Sequence, residues 1–169
     1  MFKCIDFKTG STVLDVGCGT GKLFPIIVSQ AQNIKIIGLD MCSEMLKYAR
    51  RFRYPRLELI HSFCEDIPLD SGTIDAVVIN DTFPHFNDRK IALQEIRRVL
   101  KKAGYLYLIH TSNSKKVNQT HQEIGDPVEK DLLPPFEELV SILENFQFHV
   151  KTARDTENHL FIKARILKD

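Results

Sequence analysis

Two hydrophobic rhythms alternate along the chain. Short apolar runs at residues 12–16, 34–39, 57–60, 74–79 and 105–109 have strand length. Between them, apolar residues recur at three- and four-residue spacing, as on one face of a helix. The first such stretch carries Leu23, Ile26 and Ile27, with Pro25 tolerated in its opening turn. Ser43 is placed to cap a second helix, with Glu44 in its first turn. Ser71-Gly72 marks a turn. Asp88 is placed to cap a helix whose core face is Ala92, Ile96, Val99 and Leu100, and Gly104 is expected to stop it in a left-handed conformation. Ser114 is read as the cap of a short helix that turns Val117, His121 and Ile124 to one side before Gly125 ends it. Pro135 opens a further helix with Phe136, Leu139, Val140 and Leu143 inward. Strands at 147–153 and 159–166 flank the polar turn Asp155-Thr156-Glu157-Asn158 and read as a hairpin. Strand and helix in regular alternation predict an α/β domain whose mostly parallel sheet is covered on both faces.

The length, 169 residues, suits a single domain spanning 1–169 with one full core. Charge narrows the range of partners. With 23 basic and 22 acidic residues the net charge is +1, which provides no electrostatic footprint for nucleic acid. No apolar run is long enough to span a bilayer. The N-terminus lacks the apolar core of a secretory signal. Cys4, Cys18, Cys42 and Cys64 form no C-x-x-C pair, so no metal site is expected. Unpaired thiols without an export signal point to the cytoplasm.

The chemistry begins at Asp15-Val-Gly17-Cys18-Gly19-Thr20-Gly21, where the first apolar run ends in an acid and three glycines follow, two apart. A strand that becomes a glycine loop and then a helix is where open α/β sheets bind nucleotide-like ligands. The dinucleotide fingerprint would need a glycine where Lys22 stands. That disfavours a nicotinamide dehydrogenase. The segment resembles the first motif of the class I S-adenosylmethionine-dependent methyltransferases, and residues 11–110 follow that family's element order. Arg98-Val-Leu-Lys-Lys-Ala-Gly104 is similar to its R-V-L-K-P-G-G stretch. The resemblance implies a Rossmann-like, seven-stranded sheet in the order 3-2-1-4-5-7-6, with strand 7 antiparallel.

It also implies a cofactor, S-adenosylmethionine, with S-adenosylhomocysteine as product, and a set of contacts. The loop residues Gly17, Cys18, Gly19, Thr20 and Gly21 would let backbone approach the ligand. Asp15 would meet the methionine ammonium, directly or through water. Asp40, 23 residues after Gly17, would accept both ribose hydroxyls, and Met41 would lie against the adenine. In Phe63-Cys64-Glu65-Asp66-Ile67-Pro68 the family's usual adenine-reading acid is replaced by Phe63. Phe63 is then expected to cover the ring, Cys64 N–H to reach a ring nitrogen and Glu65 to take the amino group.

Methyl transfer by direct displacement needs alignment above all. The acceptor is expected beyond strands four and five, near Asn80, Asp81 and His85 on one side and His110 on the other. Residues 111–135 form a lid-like insertion whose His121 points inward. The three histidines are the catalytic candidates, as base or as orienting groups. The expected partner is a small-molecule acceptor. A nucleic-acid methyltransferase is disfavoured, because Asn80-Asp81-Thr82-Phe83 lacks the prolines of the base-methylating motif. A different class remains open. Only about ten residues precede the first strand, so the chain could be an open enzyme, one completed as a homodimer, or a non-catalytic S-adenosylmethionine-binding partner subunit.

Overall fold

The computed structural model describes residues 5–166. Cys4 and the rest of the N-terminal tetrapeptide lie outside the described residues. Seven strands form one sheet in the order β3-β2-β1-β4-β5-β7-β6. The parallel strands are β1 (Thr12–Val16), β2 (Lys35–Asp40), β3 (Leu57–His61), β4 (Ile74–Asn80) and β5 (Leu100–His110). The hairpin of β6 (Phe148–Asp155) and β7 (Leu160–Ile166) closes the edge, and β7 runs antiparallel to both neighbours. This is the expected order and hand of pairing.

Successive strand residues face opposite layers. In β4, Val77 and Ile79 join one core with Ala92, Leu93 and Ile96 of α3 (Arg89–Val99) and Leu139 and Leu143 of α5 (Phe136–Asn145). Ala76 and Val78 join the other, with Phe24 and Ile27 of α1 (Phe24–Gln30) and Leu46 and Ala49 of α2 (Ser43–Ala49). Both layers are dry, so the ends of the strands are the part of the sheet open to polar chemistry. Arg98 on α3 donates to the carbonyls of Leu69 and Ile67 at 2.6 and 2.7 Å, and Glu95 accepts the Ile67 N–H at 3.1 Å. This clamp holds the connection after β3 against the third helix.

Several local expectations change. Cys42, not Ser43, occupies the N-cap of α2, and it makes no side-chain cap bond. Asp40 does that work from the strand end, accepting the Cys42 N–H at 2.8 Å. On α4 (Ser114–Ile124) the cap is Asn113, which accepts from Lys116 N–H. Ser114 is buried and bonds the Asp155 carboxylate instead. Ile124, the last residue of α4, is 62% exposed rather than inward. Ile26 is half-buried, and Leu23 is buried one residue ahead of α1.

The largest revision concerns Gly104. The third helix stops at Val99, and β5 runs from Leu100 through Gly104. The left-handed residue is Ala103, at φ 63°. Gly104 is needed for space: a Cβ there would lie 2.9 Å from the Lys101 carbonyl and 3.0 Å from Leu100 Cδ2. Ala103→Gly is therefore expected to stabilise the fold by up to about 1 kcal/mol. Gly104→Ala should destabilise it by about 1–3 kcal/mol through overpacking. Urea unfolding of the two variants measures both signs. The reverse order would return the left-handed position to residue 104.

Candidate active site

The glycine loop, Asp15, Asp40 and Asn80 lie at the carboxyl ends of β1, β2 and β4, and Phe63, Cys64 and Glu65 follow β3 beside them. Gly17, Gly19 and Gly21 all have positive φ, so the chain leaves β1 in a tight, glycine-rich loop. The N–H groups of Gly17 and Cys18 donate to the Leu39 carbonyl at 2.8 and 3.0 Å, which draws the loop onto the end of β2. Asp40 completes the junction. Its Oδ2 accepts the Gly19 N–H at 2.7 Å while its Oδ1 holds Cys42. An ionised carboxylate has about four acceptor directions. Two are used here, so one per oxygen remains for the ribose hydroxyls expected of a ligand. Thr82 seals the other side. A Cβ on Gly17 would lie 2.2 Å from Thr82 Cγ2, so only glycine lets the β4 end come this close.

Asp15 is 2% exposed, and its Oδ2 has no hydrogen-bond partner. Burial, and then the neighbouring Asp40 charge, push its pKa up to about 7. The site therefore has a buried carboxylate in want of a cation, and its two acids, Asp15 and Asp40, would repel a phosphate. A ligand with an ammonium group fits that deficit. The residues present suit S-adenosylmethionine, which has an ammonium and a ribose and no phosphate. Two more unpartnered buried atoms, Asn80 Oδ1 and His110 Nε2, lie at the adjoining ends of β4 and β5. Cys18 contributes backbone, for burial raises its thiol pKa far beyond reactivity. Thr20 sits half-buried in the loop.

The crevice beyond Asp40 is lined by Gly17, Met41, Phe63, Cys64, Glu65 and His85. Met41 and Phe63 are 55% and 48% exposed, so neither is core. Both give the crevice exposed apolar surface. Glu65 is partly engaged: one oxygen accepts the Asp88 N–H at 3.0 Å and the other the Cys64 thiol at 3.2 Å, which leaves one acceptor direction on each.

The histidines separate into two groups. His85 and His121 have ring centroids 5.0 Å apart. His110 is 1% exposed and sits 3.5 Å from Asp81. Asp81 cross-links the ends of β4 and β5 by accepting from Thr111 N–H and hydroxyl at 2.8 and 3.0 Å. Burial works to raise its pKa, but the His110 and Thr111 contacts outweigh that and hold it below the ordinary carboxylate value. Two residues here had no signal in the sequence. Thr82 shows its role only through contact with Gly17, and Asp131, 46 residues from His85, accepts the His85 Nδ1–H at 2.7 Å.

Residues 14–108 match the family model described as a methyltransferase domain. The demethylmenaquinone methyltransferase of Oceanobacillus iheyensis is 34% identical over 116 residues, 65% of this chain and 48% of that one. An uncharacterized methyltransferase of Mycobacterium tuberculosis is 29% identical over 154 residues, 91% of this chain and 61% of that one. The chain spans about half the length of the demethylmenaquinone methyltransferases it matches. A SAM-dependent methyltransferase from Aquifex aeolicus superposes with TM-score 0.77 at 25% identity, covering 95% of this chain and 84% of that one. The YcgJ protein of Bacillus subtilis shares the fold with TM-score 0.83 at 16% identity, covering 100% and 97%.

The Asp15 carboxyl makes stability depend on pH. Its folded pKa, about 7, lies above the ordinary 3.8. Its stabilising contribution is thus complete below pH 3.8 and lost as pH rises through 7. Asp15→Asn stays neutral throughout. In the ligand-free protein it should be more stable than wild type at pH 8, by up to about 4 kcal/mol, and nearly equal to it at pH 4. Chemical unfolding at the two pH values measures this, and equal destabilisation at both would contradict it.

Proposed function

The chain belongs to the class I S-adenosylmethionine-dependent methyltransferase family, and from that premise we propose that it transfers the methyl group of S-adenosylmethionine to a small-molecule acceptor. The observation that carries this reading is the unpartnered, buried Asp15 carboxylate beside a glycine loop tied to Asp40. Asp15 holds the ammonium end, and Asp40 offers its remaining acceptor directions to the ribose. Met41 and Phe63 flank the adenine, with the Cys64 N–H and Glu65 at its edge. Gly17, Cys18, Gly19, Thr20 and Gly21 form the floor, and Asn80 closes the side nearest β4.

The bound donor supplies a methyl group on a sulfonium sulfur, already activated for direct displacement. The chain's task is to align the acceptor with that carbon and to exclude water, an effect worth roughly 7–11 kcal/mol in well-placed systems. Residues 111–135, which bring Asp131 to His85, act as a lid over the acceptor side. The balanced charge supports a small acceptor over nucleic acid. Cys18, Cys42 and Cys64 are all free thiols, which supports a reducing compartment such as the cytoplasm. No helix among the described residues is long and apolar enough to cross a membrane.

S-adenosylhomocysteine at about a hundred times its dissociation constant should stabilise the protein by roughly 2.7 kcal/mol, while NAD should not. Asp40→Ala should lose about 1–3 kcal/mol of stability, because it releases two backbone N–H groups, and should also lose most of the ligand-induced shift. Differential scanning fluorimetry reads both effects. A response to NAD alone, or an Asp40→Ala variant with unchanged affinity, would defeat the reading.

A further inference from the structure

Six large hydrophobic side chains are exposed among the described residues, and four of them, Met41, Met45, Tyr48 and Phe63, belong to one region. Met45 and Tyr48 stand on α2, 43% and 49% exposed. The buried side of that helix is Leu46 and Ala49, so neither is needed by the core. Met41 precedes Met45 by four residues, one helical turn. Met41 and Phe63 line the donor crevice together. An apolar strip therefore runs from α2 to the mouth of that crevice. Single exposed hydrophobics are ordinary, but a group of them marks an interaction site.

Positive charge gathers at the same place. Residues 41–56 hold five basic side chains and one acid, a net charge of +4 in a chain whose total is +1. The acid, Glu44, is engaged by Lys47 at 2.5 Å. Arg56 is turned aside, donating to the Asn33 carbonyl at 2.5 Å. Arg50, Arg51 and Arg53 follow α2 directly. All three are exposed, and none has an acid in ion-pair contact among the described residues. Phe52 sets their direction. Its ring packs edge-on against Phe24 and stacks on Tyr54, with centroids 5.7 and 5.9 Å away. Phe52 and Tyr54 are thus anchored inward, which leaves Arg51 and Arg53 facing solvent. The Arg51 guanidinium lies 4.7 Å from the centroid of the Tyr48 ring, so the cations adjoin the apolar strip.

We infer that this face docks on an anionic lipid bilayer. The arginines meet negative headgroups, while Met41, Met45 and Tyr48 enter the boundary between headgroups and acyl chains. Cations alone would suit a nucleic acid as well. Thioether side chains add nothing to a phosphate backbone, however, and burying them takes an apolar phase. Tyrosine suits the headgroup level, where its ring is in an apolar layer and its hydroxyl in a wet one. An anionic bilayer offers negative charge and an apolar phase at the spacing of one short helix. Because Met41 and Phe63 belong to both strip and crevice, docking holds the crevice mouth against the membrane. The inference stands on the charge and exposure of the surface and does not depend on the methyltransferase reading.

The chain has no tryptophan, so Tyr48→Trp places a single indole at the contact. The probes are phosphatidylcholine vesicles with and without phosphatidylglycerol. On the anionic vesicles the indole emission should shift to the blue and be quenched by brominated acyl chains. A control indole from Lys102→Trp, exposed near the opposite end of β5 from the site, should show neither effect. In cosedimentation, wild type should bind the anionic vesicles. Arg50→Gln/Arg53→Gln should bind them about 25-fold more weakly, at about five-fold per charge near the surface. Met45→Ser should bind several-fold more weakly at unchanged charge. Both variants should keep the wild-type melting temperature, since the replaced side chains are exposed. No binding to anionic vesicles, binding that Met45→Ser leaves unchanged, or a Tyr48→Trp indole that stays in water would overturn the inference. Binding of a single-stranded oligonucleotide in place of vesicles, lost in the arginine variant, would assign the surface to nucleic acid and overturn it as well.

Discussion

One carboxylate joins the parts of the site. Asp40 accepts the Gly19 N–H with one oxygen and the Cys42 N–H with the other. It thereby fixes the glycine loop after β1 to the turn after β2. The three glycines of the loop have no side chains with which to hold a shape. Its form comes from outside: the Leu39 carbonyl below, Asp40 beside it and Thr82 against Gly17. Asp40 serves as scaffold, and in the proposed reading its remaining acceptor directions also meet the ribose, so binding and loop geometry would be one interaction. Hydrogen bonds to a charged group contribute about 1.5–3 kcal/mol each, enough to keep the loop set before a ligand arrives.

The same junction carries a cost. Asp15 is buried behind the loop, next to a second acid and with an oxygen lacking a partner. A fold selected for stability alone would place an apolar residue there, as β1 does at Val13, Leu14 and Val16. Local destabilisation at one point of an otherwise dry sheet is the signature of a site awaiting a ligand. The Asn80 and His110 orphans continue that line across β4 and β5, away from the donor crevice. At the neighbouring groove the arrangement differs, because His85 and Asp131 satisfy each other.

The elements were readable wherever period and burial agreed. β1 and β4 alternate between two dry layers, so their apolar runs stood out and their boundaries came within a residue. The strand order was not readable from pattern, because parallel strands look alike, and it came through the family resemblance. Caps were misplaced by one residue at Ser43 and Ser114, since the residue before each serine, Cys42 or Asn113, has the extended backbone of a cap, which only the dihedrals reveal. Gly104 misled for a different reason. Glycine marks either a left-handed residue or a close approach, and here Ala103 takes the first role and Gly104 the second. The meeting of the glycine loop with Asp40 was expected from the resemblance, and Asp40 Oδ2 does accept the Gly19 N–H from the end of β2. Thr82 and Asp131 were not, because they reach the site from 65 and 46 residues away along the chain.

The central claim is that a buried, half-protonated Asp15 receives the ammonium of the methyl donor. Calorimetric titration of S-adenosylhomocysteine at pH 7, in two buffers of different ionisation enthalpy, counts the protons exchanged on binding. With a free pKa of about 7, Asp15 should give up close to half a proton when the ammonium arrives. Wild type should therefore release up to about half a proton more than Asp15→Asn, and bind more tightly. Identical proton counts and affinities for the two proteins would contradict the account.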